Sequence, residues 1–289
     1  MELSNKNDMR RFLENEGFTF KKSLGQNFLV DPAVAPRMAS FAADSRTGVI
    51  EIGPGAGVLT KELSLRAKKV VAIELDGNLR SVLEKTLKDC KNVRIIFGDV
   101  LKTDLVSVIN ENFSGCEKIT VCANLPYYIT SPVIMKLLNE KLPVESITVM
   151  VQKEAADRIC AKVGSRAAGA VTAAINYFAE ASPLFFVPKS CFLPVPKVDS
   201  QVISLKIRKT PPVRVSDEEF FFKTVNACFM LRRKTAVNSI SSALQTDKEK
   251  IKEVFLKLGI SETARGETLT METLAQLSEE LKKCLQIGE

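Results

Sequence analysis

The stretch GVIEIGPGAG, residues 48–57, decides the fold class, because it joins an apolar run to a loop rich in glycine. An apolar run entering such a loop is typical of the first strand of a doubly wound α/β sheet, where the loop lies against a nucleotide. The spacing is G-x-G-x-G rather than the G-x-G-x-x-G of dinucleotide enzymes, and Pro54 has no N–H to donate to a phosphate. The loop therefore favours a nucleoside ligand without a pyrophosphate.

Short apolar runs alternate with helical patterns from residue 48 to about residue 207. Seven of these runs are rich in β-branched residues and nearly continuous in apolar ones, as expected of strands covered on both faces. They are GVIEIG, VVAIEL, VRIIFGD, ITVCANL, SITVMVQ, SPLFFVP and VISLKI. The alternation predicts an α/β fold with a seven-stranded, Rossmann-like parallel sheet. Only a Pro-rich loop separates the last two runs, which predicts an antiparallel hairpin at the end of the sheet.

The pattern changes after a pair of prolines in KTPPVRV, which mark a linker. From there to the C-terminus only helical periodicity is present. Ser216, with Glu219 three residues later, predicts a capping box at the first of these helices. We therefore predict an α/β domain over residues 1–208 and a small all-helical domain over residues 209–289.

The composition of the 289-residue chain, 45% hydrophobic and 26% charged, is that of a globular protein. It has no apolar run long enough to span a membrane, and its polar N-terminus lacks the core of a signal peptide, so we expect a cytoplasmic protein without a membrane partner. Histidine is absent and seven cysteines are scattered, so we expect reduced thiols and no metal site. The net charge of +7 favours a polyanionic partner such as nucleic acid.

Acidic residues stand at the ends of the second and third predicted strands. Glu74 follows the glycine loop by about 20 residues, where an acid can accept hydrogen bonds from both ribose hydroxyls. Asp99 is placed to accept the amino group of an adenine, with Val100 packing on the ring. Together with the loop, including Gly53 and Gly55, these acids predict a site for S-adenosylmethionine.

The fourth predicted strand ends in NLPY, residues 124–127. An adenine amine is a weak nucleophile, because its lone pair is delocalised into the ring. We expect the Asn124 side-chain oxygen and the Leu125 carbonyl to hold its hydrogens, with Pro126 keeping Leu125 extended. Tyr127 would then stack on the flipped base. Orientation provides most of the catalysis in this scheme, so no histidine is needed and no enzyme group has to titrate near neutrality. A packing role for the tyrosines is the alternative.

Several motifs resemble the ribosomal RNA small-subunit adenine dimethyltransferase family along nearly the whole chain. They are KKSLGQNFL (21–29), EIGPGAG, IELD, GDV, NLPYYITSP, QKEAADRI, PKSCFLPVPKVDS (188–200) and LRRKT (231–235). The resemblance implies the transfer of four methyl groups from S-adenosylmethionine to N6 of two adjacent adenosines near the 3′ end of 16S rRNA. The partner would be this rRNA within the small ribosomal subunit or its precursor, with a role in subunit biogenesis. We expect a monomer.

The resemblance also implies roles for individual residues. Asn27 and the backbone of Leu29 would contact the methyl donor, and Phe192 would form the second face of the base pocket, opposite Tyr127. Further donor contacts would come from Gly53, Glu74, Asp99 and Asn124. Contacts with rRNA phosphates would come from Lys21, Lys22, Arg232, Arg233 and Lys234, the last three on the first helix of the C-terminal domain. Leu231 departs from the polar residue expected before RRKT.

Three alternatives stay open. A large-subunit rRNA adenine dimethylase shares the NLPY motif, although PKSCFLPVPKVDS and LRRKT favour the small-subunit enzyme. A ribosome-assembly factor that keeps the fold without the chemistry is a binding alternative, which the intact NLPY and acids disfavour. A nicotinamide dehydrogenase is disfavoured by the spacing of the glycine loop.

Overall fold

The computed structural model describes residues 5–21 and 24–285 of the chain. Contacts divide it into two compact units: Met1–Ala156 with Ser182–Ile207, and Asp157–Ala181 with Arg208–Glu289. Residues 157–181, predicted within the first domain, therefore pack with the helical unit instead. No helix within the two described ranges is long and apolar enough to cross a membrane.

Nine strands are present among the described residues, and seven of them form one sheet. They are β1 (Phe28–Leu29), β2 (Thr47–Ile52), β3 (Lys69–Glu74), β4 (Val93–Phe97), β5 (Lys118–Asn124), β6 (Ser146–Gln152), β7 (Ala179–Val187), β8 (Phe192–Leu193) and β9 (Ser200–Ile207). The order in the large sheet is β4-β3-β2-β5-β6-β9-β7. Strands β2 to β6 pair in parallel, whereas β9 is antiparallel to β6 and lies beside β7. All seven predicted strands are confirmed, as is the α/β fold class.

The central strands are buried because they are almost entirely apolar and β-branched. All six residues of β2 are buried, and so are most of those in β3, β5 and β6. The first seven helices of the described chain are α1 (Lys6–Asn15), α2 (Val34–Ala42), α3 (Val58–Ser64), α4 (Arg80–Thr86), α5 (Leu105–Asn112), α6 (Thr130–Asn139) and α7 (Lys153–Ile159). The parallel arrangement brings the carboxyl ends of β2, β3, β4 and β5 to one edge of the sheet, where the predicted site residues lie.

The second unit packs its helices around an aromatic core. The helices are α8 (Ala170–Phe178), α9 (Glu218–Phe229), α10 (Ala236–Leu244), α11 (Lys248–Lys257) and α12 (Met271–Cys284). Tyr177 of α8 packs against Phe221 of α9 with ring centroids 5.2 Å apart and the rings tilted by 36°, and Phe255 of α11 is fully buried in the same cluster. These contacts explain why residues 157–181 join this unit, since Tyr177 buries its apolar ring there.

The predicted capping box at α9 is wrong. Asp217 is the N-cap, and its carboxylate accepts a hydrogen bond from the N–H of Phe220. Ser216 instead donates its hydroxyl and its backbone N–H to Glu279 of α12. A carboxylate caps a helix as well as a hydroxyl does, and the distant glutamate competes for the serine.

The three basic residues Arg232, Arg233 and Lys234 do not lie on a helix, contrary to the prediction. α9 ends at Phe229, and residues 230–234 form a turn that we name the basic turn. Thr235 follows the turn and caps α10 by accepting from the N–H of Asn238 at 3.3 Å. The region therefore forms two helices with the basic turn between them, a break that its helical periodicity did not indicate.

Candidate active site

The carboxyl ends of the parallel strands border a cavity of about 300 Å³ in the first unit. Every residue predicted to bind the methyl donor or the base lines this cavity. These residues are Asn27, Leu29, Gly53, Gly55, Glu74, Asp99, Val100, Asn124, Leu125, Pro126, Tyr127 and Phe192. The fold thus brings together six stretches of the chain that are separated in sequence, although the individual roles of these residues stay predictions.

Glu74, the last residue of β3, is held against the glycine loop. Its carboxylate accepts hydrogen bonds from the N–H of Gly55 at 3.1 Å and from that of Asp76 at 2.8 Å. Burial raises the pKa of this carboxyl, and the two N–H groups oppose the rise. Gly55 has φ +58°, and a Cβ there would lie 3.0 Å from the Phe28 ring, so glycine is required at this position. The acid is therefore anchored at the cavity wall.

Asp99 follows β4 and is only partly engaged by the protein. Its Oδ1 accepts the N–H of Leu101 at 2.9 Å, while its Oδ2 accepts no hydrogen bond from any residue in the described part of the chain. Val100 is 7% exposed beside it. An acceptor oxygen next to a buried apolar side chain suits the edge and face of an adenine ring.

Asn124, at the end of β5, is oriented by the segment before β1. Its Nδ2 donates to the carbonyl of Asn27 at 3.1 Å, and the Asn27 amide in turn donates to the carbonyl of Gly25 at 2.9 Å. No donor among the described residues reaches Asn124 Oδ1. The nitrogen of the amide is thus engaged, which leaves its oxygen as an acceptor for an amine.

Tyr127 and Phe192 differ in how accessible they are at the cavity. Tyr127 is partly buried, and its hydroxyl lies 3.0 Å from Ser200 Oγ, an interaction that fixes the ring. Burial raises the pKa of this tyrosine. Phe192 pairs with Leu29 through β8 and β1 and is only 1% exposed. A base stacked on Phe192 therefore requires a shift of this ring or of its neighbours.

Glu51 was not assigned a role from the sequence, although it lies in β2 directly before the glycine loop. It lines the cavity, is 1% exposed, and neither carboxyl oxygen has a hydrogen-bond partner among the described residues. Burial raises its pKa to about 8, and the charge of Glu74 adds to the rise. The Thr60 hydroxyl partly offsets the rise without making a hydrogen bond of normal geometry.

The pKa of Glu51 thus lies near neutrality, whereas an unperturbed carboxyl titrates near pH 4. The ordinary value applies to a solvated group, whereas burial penalises the charged form. The sequence signal that could have identified Glu51 is an acidic residue inside an otherwise apolar strand.

Comparison with known proteins identifies the chain's relatives. A profile of the family described as ribosomal RNA adenine dimethylase matches residues 17–283. The chain belongs to the ribosomal RNA adenine dimethylase family. It is 51% identical over 280 residues to the ribosomal RNA small subunit methyltransferase A of Geobacillus sp. (strain WCH70), covering 96% of each chain. The resemblance found in the sequence is thus confirmed, and the protein is an rRNA adenine dimethyltransferase.

Two solved structures resemble this one. A dimethyladenosine transferase from Plasmodium falciparum is 25% identical with a TM-score of 0.71, over 89% of this chain and 98% of that one. The 23S rRNA methyltransferase ErmE is 26% identical with a TM-score of 0.65, over 89% and 100% of the respective chains. Both likenesses span the α/β sheet and the helical region.

In this dimethylase the predicted RNA-contacting residues fall in three different settings. The Lys21 ammonium lies 2.8 Å from the Asp76 carboxylate, whose side chain is 1% exposed. Lys22 lies outside the described residues. The three cations of the basic turn are exposed and, within the described ranges, have no ion-pair partner. Lys21 is thus already engaged by the protein, while the basic turn is available; RNA contact by either stays a prediction.

Proposed function

We propose that this enzyme transfers methyl groups from S-adenosylmethionine to N6 of two adjacent adenosines near the 3′ end of 16S rRNA, in the small subunit or its precursor. The observation that carries the proposal is the cavity in which Glu74 and Asp99 lie together with the NLPY turn, residues 124–127. Glu74 and Asp99 offer acceptors for a nucleoside, and the NLPY turn offers acceptors for an amine.

The side chains at the cavity suit a cationic nucleoside better than a dinucleotide. Three carboxyl groups, those of Glu51, Glu74 and Asp99, line it, and no Lys or Arg does so among the described residues. S-adenosylmethionine supplies an electrophilic methyl group on a sulfonium and carries an ammonium. The acidic side chains of Glu74 and Asp99 favour both cations, whereas a pyrophosphate would meet like charge. The same charge pattern disfavours a nicotinamide dehydrogenase.

Within this cavity, the NLPY turn orients the adenine amine. Asn124 Oδ1 and the Leu125 carbonyl accept its two hydrogens, which directs the nitrogen lone pair towards the methyl group. Tyr127 provides a ring for the flipped base, and its bond to Ser200 keeps that ring in place. The amine loses its proton to water after transfer, so these residues act by positioning rather than by proton transfer.

The comparison with relatives favours the small subunit as substrate. The 51% identical relative is named for the small subunit, whereas the large-subunit enzyme among the similar structures is 26% identical. A large-subunit substrate is therefore the second candidate. The basic turn would supply phosphate contacts in either case, because phosphate contacts carry no sequence information.

The proposal is tested by tritium transfer from S-adenosylmethionine to purified undermethylated small subunits, with large subunits in parallel and the modified bases mapped. We expect label on two adjacent adenines of 16S rRNA and none on large subunits. Asn124→Ala should lower the rate by orders of magnitude because the amine loses one of its acceptors. Label confined to large-subunit rRNA would reject the proposed substrate, and no label on either would reject the activity.

A further inference from the structure

Asp76 is a buried carboxylate two residues beyond Glu74. The residue is 3% exposed, and its side chain is only 1% exposed. A carboxylate removed from water is costly unless hydrogen bonds compensate it. The proposed chemistry gives Asp76 no role, so its partners indicate what it does.

Two of those partners come from the segment before β1. Asp76 Oδ1 accepts the Lys21 ammonium at 2.8 Å, and Oδ2 accepts the Gln26 side-chain amide at 2.8 Å. Gln26 Oε1 also accepts the backbone N–H of Lys21 at 2.9 Å, which closes a ring of hydrogen bonds. Burial by itself would raise the pKa of Asp76, but the hydrogen bonds from Lys21 and Gln26 outweigh it and lower the pKa.

The segment held in this way, residues 24–27, forms one wall of the cavity. It contains no strand and no α-helix, so local backbone bonds do little to fix it. Gly25 has φ +58°, and a Cβ there would lie 3.5 Å from the Pro126 side chain and 3.4 Å from the Tyr128 ring, so the segment packs closely on the NLPY turn and on the residue after it. The Asn27 carbonyl holds the Asn124 amide. The position of this segment therefore determines the geometry of the amine acceptor.

Asp76 is also joined to the opposite wall. Its backbone N–H donates to Glu74 Oε1 at 2.8 Å, and Glu74 Oε2 accepts the N–H of Gly55. A single residue thus connects the ribose-binding acid and the glycine loop to the segment that carries Asn27. The connection spans 50 residues between Gln26 and Asp76.

We propose that Asp76 is a positioning residue, which with Lys21 and Gln26 forms a latch that holds residues 24–27 against the donor cavity. The latch does not touch the reacting atoms. It acts by keeping the Asn27 side of the site closed on the donor and the Asn124 amide in place. This inference rests on the proposed function for its effect on donor binding, but not for its effect on the segment itself.

The test compares Asp76→Asn with the parent protein by two measurements. Hydrogen exchange of the amides in residues 24–29, without donor, should become at least about 10-fold faster, while exchange in the central strands is unchanged. The dissociation constant for S-adenosylmethionine, from calorimetry, should rise about 10- to 100-fold, because charge-assisted hydrogen bonds are lost. The donor KM should rise more than the rate at saturating donor falls.

A double variant that exchanges the carboxylate of residue 76 and the amide of residue 26 tests whether the loss can be rescued. In the double variant Asp76→Asn with Gln26→Glu, one carboxylate and one amide still face each other, and Lys21 keeps an anion nearby. We expect this variant to recover most of the lost donor affinity and segment protection. A purely structural defect at residue 76 would not be repaired by a change at residue 26.

The matched control is Asp104→Asn. Asp104 also has a lowered pKa, but its hydrogen bonds run to the backbone and hydroxyl of Ser107 at the start of α5. Donor affinity should stay within about twofold of the parent, since a surface cap acts locally. Equal losses in both variants would overturn the latch, as would unchanged exchange and affinity in folded Asp76→Asn.

Two further variants keep the test decisive if Asp76→Asn does not fold. Lys21→Met and Gln26→Leu each remove one partner while retaining the apolar stem, and each should speed exchange of residues 24–29. Unchanged exchange in both would overturn the latch. Failure of the parent to bind S-adenosylmethionine would instead reject the proposed function, since the exchange measurement needs no donor.

Discussion

At the scale of single residues, Glu51 links the site to the stability of the fold. Its pKa is raised from an ordinary 4.5 to about 8, so the folded protein keeps a proton that the unfolded chain releases between these values. The contribution of protonated Glu51 to the stability of the folded protein is complete below pH 4.5 and is lost as the pH rises through about 8. Between pH 5 and 8 the free energy of unfolding should fall about 2–4 kcal/mol further than in Glu51→Gln. Denaturant unfolding of both proteins checks this, and parallel pH curves would contradict it.

Methyl transfer at saturating donor and subunit should depend little on pH. In the proposed function the groups at the reacting amine are the Asn124 amide and the Leu125 carbonyl, and neither ionises. The single-turnover rate should therefore be nearly flat from about pH 6.5 to 8. At low donor concentration, kcat/KM should instead rise as Glu51 loses its proton in the free enzyme, and Glu51→Gln should abolish that rise. A bell-shaped rate at saturation, traced to a side chain, would reveal a general base and end the orientation-only mechanism.

At the scale of elements, the turn between α9 and α10 depends on one buried hydroxyl. Ser239 is fully buried; its Oγ donates to the carbonyl of Ala227 at 2.6 Å and accepts the N–H of Leu231 at 3.0 Å. Ser239→Ala leaves both backbone groups without this partner, which should lower the free energy of unfolding by about 1–3 kcal/mol. The exposed Ser242→Ala in the same helix is the control and should change it by less than about 0.5 kcal/mol. Equal effects in the two variants would refute this account of the turn.

At the scale of the whole molecule, charge on the basic turn should control RNA binding without affecting the donor. Arg232→Glu with Arg233→Glu should weaken binding to small subunits and flatten its dependence on salt, because each phosphate contact adds about one unit to the slope. Donor affinity should be unchanged, since the cavity proposed for the donor is lined by residues of the first unit. Subunit binding measured over a series of salt concentrations, with calorimetry for the donor, checks both expectations.

The control for this charge reversal is Lys248→Glu with Lys250→Glu, which makes the same change in net charge on the exposed start of α11. These lysines alternate with acids and are expected to be ordinary surface residues, so subunit binding should fall much less. An equal loss of affinity and slope in both variants would show that only the total charge of the protein matters.

The sequence by itself determined the order and type of the elements in the sheet. Apolar, β-branched runs specify buried strands, and their period is a local property of the chain. The acids at strand ends and the NLPY turn were predictable for the same reason, because the carboxyl ends of parallel strands must meet at one edge. Family motifs such as GQNFL added Asn27 and Leu29, which no periodicity marks.

Only the tertiary structure decided which groups are buried and what they contact. The rise in the pKa of Glu51 and the engagement of Lys21 by Asp76 both depend on desolvation, which a sequence pattern does not report. The Asn27–Asn124 contact joins residues 97 positions apart, and the packing of residues 157–181 on the helical core depends on distant aromatic rings. The turn that separates α9 from α10 interrupts the helical periodicity of the sequence, and the buried Ser239 hydroxyl holds it through Ala227 and Leu231. Such features depend on contacts that form only when the chain has folded.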